Sequence, residues 1–189
     1  MIDAIVDTVP SAERERSYSG GYMKAGKEAE EIVLAWLLER PWVVGVEDLR
    51  SYRVMREADV DCGIRLADGR ITLAEIKSDR HLGTTDNFVF ESLRINHTAP
   101  PDRSITLGWS ARTPAKNILY YAPTFKKLHA IETDEFRRAM QGYTAEARKK
   151  TNINYVETDN IKSTVNILIP SRFVTAMPSY RAYDLAVPA

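Results

Sequence analysis

The first regular pattern in the chain is a stripe of apolar residues at helical spacing between residues 24 and 40. Glutamates lie between these apolar positions, so one face is apolar and the other is charged. Pro41 ends the pattern, because the residue before a proline is disfavoured in a helix. The sequence therefore predicts an amphipathic helix over residues 24–40. Its apolar stripe consists of Ala29, Ile32, Val33, Trp36 and Leu37.

Shorter segments with strand-like patterns follow this helix, separated by residues typical of turns. A second helix is predicted at 134–141, and residues up to 23, which lack clear periodicity, are predicted to form an N-terminal arm. Because 189 residues suit one domain, residues 24–189 are predicted to form a single α/β domain. The predicted strands cover residues 42–46, 51–55, 59–66, 71–78, 88–93, 104–109, 117–121, 128–132 and 164–169.

Charged residues share one face of two consecutive predicted strands. Side chains alternate between the two faces of a strand, so Asp59 and Asp61 lie opposite the apolar residues of their segment. The same rule places Glu75 and Lys77 together on the next strand. The apolar set of the first strand is Val60, Cys62, Ile64 and Leu66.

The turn between these strands decides whether the two charged sets meet, because a slip of one residue moves every side chain to the other face. A two-residue loop would set Asp61 against Ile76 and bury charge on the apolar side. A three-residue loop, with Gly69 in the left-handed conformation, sets Asp61 opposite Glu75 and Asp59 opposite Lys77. We therefore predict the three-residue loop.

This register would bring three carboxylates and one ammonium group together, an arrangement that a divalent cation would stabilise. Carboxylate oxygens suit Mg²⁺ or Mn²⁺ rather than zinc. Such a cation can acidify water and neutralise charge on a phosphate. The role of Lys77 stays open between orienting or deprotonating the attacking water and stabilising the pentavalent phosphorus.

At these residues the sequence resembles the PD-(D/E)XK, or restriction-endonuclease-like, nuclease superfamily over residues 24–79. Asp61 matches the metal-binding aspartate and Glu75-Ile76-Lys77 matches the (D/E)XK tripeptide, with Val60 in place of the signature proline. The resemblance implies a central mixed β-sheet flanked by helices and phosphodiester hydrolysis with one or two metals. It also implies that Glu75 and the backbone carbonyl of Ile76 contact the metal.

Many members of this family place an acidic residue of the first helix at the metal cluster. Glu30 is the first choice here, because it lies at the edge of the apolar stripe, and Glu31 and Glu28 follow. Glu91 is a further candidate from a weaker resemblance, which places it on a neighbouring strand. Asp59 stays open between a second metal ligand and a charge partner of Lys77.

In that weaker resemblance, Trp109 and Tyr120 shape the substrate cleft. Two basic clusters are left open between a nucleic-acid contact and a solvated surface. These clusters are Arg137, Arg138, Arg148, Lys149 and Lys150, and Arg112, Lys116, Lys126 and Lys127.

The composition narrows the classes of protein to consider, but it does not indicate a function. The formal net charge of zero counts against a protein that coats DNA, although a nuclease needs only a local basic cleft. The single cysteine, Cys62, suits a reducing cytoplasm, and neither a signal peptide nor a membrane segment is expected.

The sequence thus predicts a cytoplasmic Mg²⁺-dependent deoxyribonuclease that acts by metal-activated water in phage or bacterial DNA processing, restriction or repair. RNA is not excluded as a substrate, and a homodimer or a partner protein is left open. The alternative is a catalytically inactive module that keeps the nuclease fold for nucleic-acid binding or assembly.

Overall fold

A computed structural model describes residues 19–96, 104–144, 153–157 and 162–185. Its helices are α1 (Ser19–Leu38), α2 (Arg53–Glu57), α3 (Leu82–Thr85), α4 (Trp109–Arg112), α5 (Thr133–Thr144) and α6 (Ser171–Thr175), with a 3₁₀ turn at Pro123–Phe125. Its strands are β1 (Val43–Asp48), β2 (Cys62–Leu66), β3 (Ile71–Ser78), β4 (Asn87–Asn96), β5 (Ser104–Leu107), β6 (Asn117–Ala122), β7 (Lys127–Glu132), β8 (Ile153–Glu157), β9 (Lys162–Pro170) and β10 (Arg181–Asp184).

These strands form two sheets. The larger sheet has the order β1-β2-β3-β6-β7-β10, and the smaller one has the order β5-β4-β9-β8. Strands β3 and β6 are parallel, whereas the other described neighbours are antiparallel. The larger sheet is therefore mixed, and the predicted α/β architecture with a central mixed sheet and flanking helices is confirmed.

The larger sheet has a different cover on each face. Helix α1 packs on one face and buries Val33 and Leu37 against Cys62, Ala74 and other sheet residues. On the opposite face, β4 and β9 of the smaller sheet and helix α5 pack against β6 and β7. The predicted hairpin lies in the larger sheet with α1 on one of its faces, so its two faces meet different surroundings.

Helix α1 differs in detail from the predicted helix. It begins at Ser19 rather than at residue 24, and it ends at Leu38. Leu34 joins the buried stripe, whereas Ile32 is 45% exposed, so the buried face is rotated toward Glu30 and away from Ile32. Residues 1–18 of the predicted arm lie outside the described residues, and the arm stays a prediction.

The predicted strand at 51–55 is wrong, because this segment forms a turn and the helix α2. The amide of Arg56 donates to the carbonyl of Tyr52 and that of Ala58 to Val54, which are local helical bonds. The alternation of Tyr52 and Val54 reflects two exposed side chains rather than a half-buried strand.

Strands β8 and β10 and the short helices α3, α4 and α6 were not predicted from the pattern. The other predicted strands and the helix at 134–141 are present with shifted ends. None of the helices in the described part of the chain is both long and apolar enough to span a membrane.

Candidate active site

The hairpin of β2 and β3 has the predicted three-residue loop. The amide of Leu66 donates to the carbonyl of Arg70 at 2.8 Å, and Gly69 has a φ of +84°. Cys62 pairs with Ala74 in the ladder, and one further step places Asp61 opposite Glu75. The predicted register is therefore confirmed.

This register separates an apolar face from a charged face. Cys62, Ala74 and Ile76 are buried in the core beneath α1. Because strand side chains alternate, Asp61, Glu75 and Lys77 lie on the other side of the sheet. In the parallel ladder, Glu75 pairs with Ile118 and Lys77 with Tyr120, so the charged face continues onto β6.

The Asp61 carboxylate continues the ladder at the point where the backbone pairing stops. Its Oδ2 accepts a hydrogen bond of 2.7 Å from the amide of Ile76. In a strand, the N–H and C=O of one residue point to the same side, so the Ile76 carbonyl also points toward the Asp61 side. Asp61 is thus held by the tripeptide itself.

Glu75 is a buried carboxyl group that pairs with Lys77. Only 1% of the residue is exposed, and its Oε1 contacts the Lys77 amine. Its Oε2 is buried and has no hydrogen-bond partner in the described part of the chain. Burial raises the pKa of Glu75 to about 8; Lys77 opposes this shift and the nearby Asp61 adds to it. The burial of Glu75 therefore disfavours its charged form, and the Lys77 amine offsets this effect only in part.

Lys77 is held as a charged amine between Glu75 and an aromatic ring. Its Nζ lies 4.9 Å from the centroid of the Trp109 ring, and 30% of its side chain is exposed. Burial alone would lower the pKa of Lys77, but the carboxylates of Glu75, Asp61 and Asp59 outweigh it and raise this pKa above its usual value. This favours a fixed positive charge over a general base.

Asp59 does not lie opposite Lys77 as predicted. It has a φ of +55° and precedes β2, so the strand pattern does not extend to it. Its carboxylate pairs with Arg112, whose Nε donates to Oδ2 at 2.9 Å. The hydroxyl of Thr113 donates to the Asp59 carbonyl. Of the three carboxylates predicted to meet, that of Asp59 is therefore bound to Arg112, and Lys77 pairs with Glu75 instead.

The helix glutamates Glu30 and Glu31 both pair with Arg50. The guanidinium lies 2.7 Å from an oxygen of each glutamate, and it also binds Asp48 at the end of β1. Glu30 is less exposed than Glu31, as its position at the edge of the stripe predicted. The amide of Leu49, the residue after Asp48, donates a hydrogen bond to the Asp61 carbonyl. This ion-pair cluster therefore adjoins the hairpin. The sequence pattern had not indicated Arg50.

Glu91 lies on β4 of the smaller sheet and has partners of its own. Its Oε1 accepts hydrogen bonds from Arg94 at 2.9 Å and from the backbone amide of Trp109 at 3.3 Å. The Tyr120 hydroxyl, in turn, donates to Asp79. Glu91 therefore supports α4, and Tyr120 is a core residue beside the site.

Part of the predicted basic clusters serves the fold. The Arg137 guanidinium donates to the backbone carbonyls of Ser110 and Thr113, which fixes α5 against α4. Arg112 is bound to Asp59. Residues 148–150 lie outside the described residues.

Two carboxylates, one backbone carbonyl and one amine are thus the groups that this site can offer. Within residues 19–96, 104–144, 153–157 and 162–185, no group of three or more His, Cys, Asp or Glu side chains is arranged to hold a metal ion. A cation at this site would therefore depend on Asp61, Glu75 and the Ile76 carbonyl, with water or substrate completing its coordination.

No protein-family model and no curated protein matches the chain. Among solved structures, it is similar to a bacterial homing endonuclease, I-Ssp6803I, with a TM-score of 0.46 and 16% sequence identity. The similarity covers 62% of this chain and 72% of the endonuclease chain. The function of the protein is therefore inferred from the geometry of the site.

Proposed function

We propose that this protein is a metal-dependent nuclease of the PD-(D/E)XK type that hydrolyses DNA phosphodiester bonds. The observation that supports this proposal most strongly is the buried Glu75 carboxylate. One of its oxygens contacts the Lys77 amine, and the other has no hydrogen-bond partner among the residues that the structure describes. Asp61 lies opposite Glu75 in the hairpin register. Two acidic groups and one amine therefore converge on one end of the hairpin.

The donor set fits a hard divalent cation. An unpaired oxygen on a buried carboxylate is costly unless a donor or a cation satisfies it. Asp61, Glu75 and the Ile76 carbonyl would hold Mg²⁺ or Mn²⁺, since all three supply oxygen ligands. When bound, the cation would supply positive charge for a phosphate and would lower the pKa of a water molecule.

The chain's own groups have distinct tasks in this proposal. Lys77 stays protonated between its carboxylate neighbours, so it offers a fixed positive charge to a phosphate rather than a proton acceptor. The amide of Ile76 fixes the Asp61 carboxylate, which keeps it oriented without a bound ligand. The Lys77 side chain is 30% exposed, so the charged face is not sealed from a substrate.

DNA is the proposed substrate, with RNA as an alternative that a substrate panel would decide. The balanced net charge supports an enzyme with local phosphate contacts rather than a protein that coats nucleic acid. DNA processing, restriction or repair in a phage or bacterium is the proposed setting. Double-strand cleavage would require a homodimer or two successive cuts.

One observation favours the second candidate, a nuclease-fold module without turnover. Asp59 and Glu30, which could enlarge the metal site, are instead paired with Arg112 and Arg50. An inactive module would bind Mg²⁺ feebly and show no metal-stimulated cleavage of any nucleic acid.

The deciding experiment compares cleavage of supercoiled, linear and single-stranded DNA and of RNA, with Mg²⁺, with Mn²⁺ and with EDTA. We expect cleavage that requires the cation and is lost in Asp61→Asn. Glu57→Gln is a matched control, because Glu57 is an exposed carboxylate paired with Arg53. Absence of cleavage on every substrate would leave the inactive module as the better description.

A further inference from the structure

The ring of Trp109 lies against the Lys77 amine on the charged side of the hairpin. Trp109 is the first residue of α4 and is buried with Ile118 and Tyr120, the β6 residues next to Glu75 and Lys77. The Lys77 Nζ is 4.9 Å from the ring centroid, within the range of a cation–π interaction. The amine thus has an anionic neighbour on one side and an aromatic face on another.

Trp109 is itself fixed by β4. Its backbone amide donates to the Glu91 carboxylate, and the amide of Glu91 donates to the hydroxyl of Ser110. The preceding residue, Gly108, donates its amide to the carbonyl of Ser92. A Cβ atom at Gly108 would lie 2.2 Å from the Glu91 carbonyl oxygen, so only glycine permits this close approach. The ring has little freedom to move away from Lys77.

The position of the Lys77 amine depends on such a support. A lysine side chain has a flexible four-carbon stem. Its charge can stabilise a reacting group only where the amine is held in place. Among the described contacts, Glu75 and the Trp109 ring are what hold this amine.

We propose that Trp109 is a positioning residue, which holds the Lys77 amine beside Glu75 at the point where a scissile phosphate would bind. This inference rests on the proposed nuclease function for its catalytic consequence. It also makes β4 of the smaller sheet, through Glu91 and Gly108, a support of the active site rather than a separate layer.

The test uses Trp109→Phe, which keeps an aromatic face, and Trp109→Leu, which removes it. A matched control is Trp36, a second buried tryptophan, which lies on the other side of the larger sheet. The Cζ atom of Arg40 lies 4.7 Å from the centroid of the Trp36 ring, so this ring also faces a cation. Trp36→Phe and Trp36→Leu remove similar volume without touching Lys77. Two readouts are measured for all four variants: the NMR shifts of the Lys77 ε-methylene protons, and kcat and KM for DNA cleavage with Mg²⁺.

In the unaltered protein, the ring current of Trp109 should move the Lys77 ε-methylene signals upfield. We expect this displacement to shrink in Trp109→Phe and to vanish in Trp109→Leu, while both Trp36 variants leave it unchanged. In Trp109→Leu, kcat should fall roughly 2- to 30-fold, the factor that corresponds to a cation–π contact, with KM little changed. Trp109→Phe should retain most of kcat.

Unchanged Lys77 signals in Trp109→Leu would overturn the inference, and so would a kcat loss no larger than that of Trp36→Leu. If Trp109→Leu does not fold, Trp109→Phe still decides, because it must shift the Lys77 signals while Trp36→Phe must not. The NMR readout needs no turnover. A protein that cleaves nothing but shows the upfield shift would therefore refute the nuclease and not the contact.

Discussion

The two faces of the β2–β3 hairpin are built from adjacent residues but have opposite requirements. On the face beneath α1, Ala74 and Ile76 pack against apolar neighbours, and these apolar side chains need no hydrogen-bond partner. On the other face, Glu75 is equally buried, but one of its carboxylate oxygens has no hydrogen-bond partner within the described ranges. The first face stabilises the fold. The second face lowers the stability of the fold, because it buries a charged group whose oxygen is available to a ligand.

The largest difference between the two faces should appear in the rate of DNA cleavage. Replacing Lys77 with Met should lower kcat for DNA cleavage by roughly 100- to 1,000-fold, because a fixed charge at the reacting phosphate is lost. The fold should be kept, since the side chain is partly exposed. Lys27→Met, an exposed lysine of α1, is the control. Equal cleavage rates for the two variants would remove Lys77 from the mechanism.

The apolar face should respond in stability instead. Ile76→Ala removes a buried side chain from the core beneath α1 and should lower the free energy of unfolding by about 2–5 kcal/mol. The Ile76 backbone groups remain, so folded Ile76→Ala should still bind metal. Urea denaturation measures the first effect and calorimetry the second. A stable variant that no longer binds metal would mean that the two faces are not separate in function.

The charged face should make stability depend on pH when divalent ions are absent. The pKa of Glu75 is about 8 in the folded protein and near 4.5 in the unfolded chain, so the unfolded chain loses its proton first. The contribution of Glu75 to stability is therefore complete below pH 4.5 and is lost as the pH rises to about 8. Because each pKa unit corresponds to about 1.4 kcal/mol, the loss is a few kcal/mol at most.

Glu75→Gln isolates this effect, because the amide has a similar shape and does not titrate. In EDTA, we expect the variant to lose less stability than the unaltered protein between pH 5 and pH 8, as measured by urea denaturation. Parallel pH profiles for the two proteins would show that Glu75 is not the group responsible.

The smallest effect is expected at Asp59, which the sequence pattern had grouped with the site. Because its carboxylate is bound to Arg112, Asp59→Asn should lower kcat less than about tenfold, far less than Asp61→Asn. A loss as large as that of Asp61→Asn would return Asp59 to the metal site. Cleavage rates of the two variants at saturating Mg²⁺ make the comparison.

The sequence was most informative where geometry follows from alternation and turn chemistry. The register of Asp61 and Glu75 could be predicted, because Gly69 and the cost of burying charge leave one acceptable loop. Asp59 could not be placed in the same way, since its left-handed backbone is held by Thr113 and Arg112, more than fifty positions away. Local patterns carry no information about such distant partners.

The same limit applies to the helix glutamates and to the aromatic support of Lys77. The edge position of Glu30 was readable from the apolar stripe, but its pairing with Arg50 depends on where β1 ends. Trp109 lies beside Lys77 because α4 packs on β4. The periodicity of these two segments does not indicate this packing.

A calorimetric titration of Mn²⁺ into the purified protein, and into Asp61→Asn and Glu75→Gln, tests the proposed cation site most directly. We predict one or two binding events in the unaltered protein and a loss of affinity of at least tenfold in each variant. Binding that is equally strong in all three proteins, or no binding in any of them, would contradict a cation site formed by these two carboxylates.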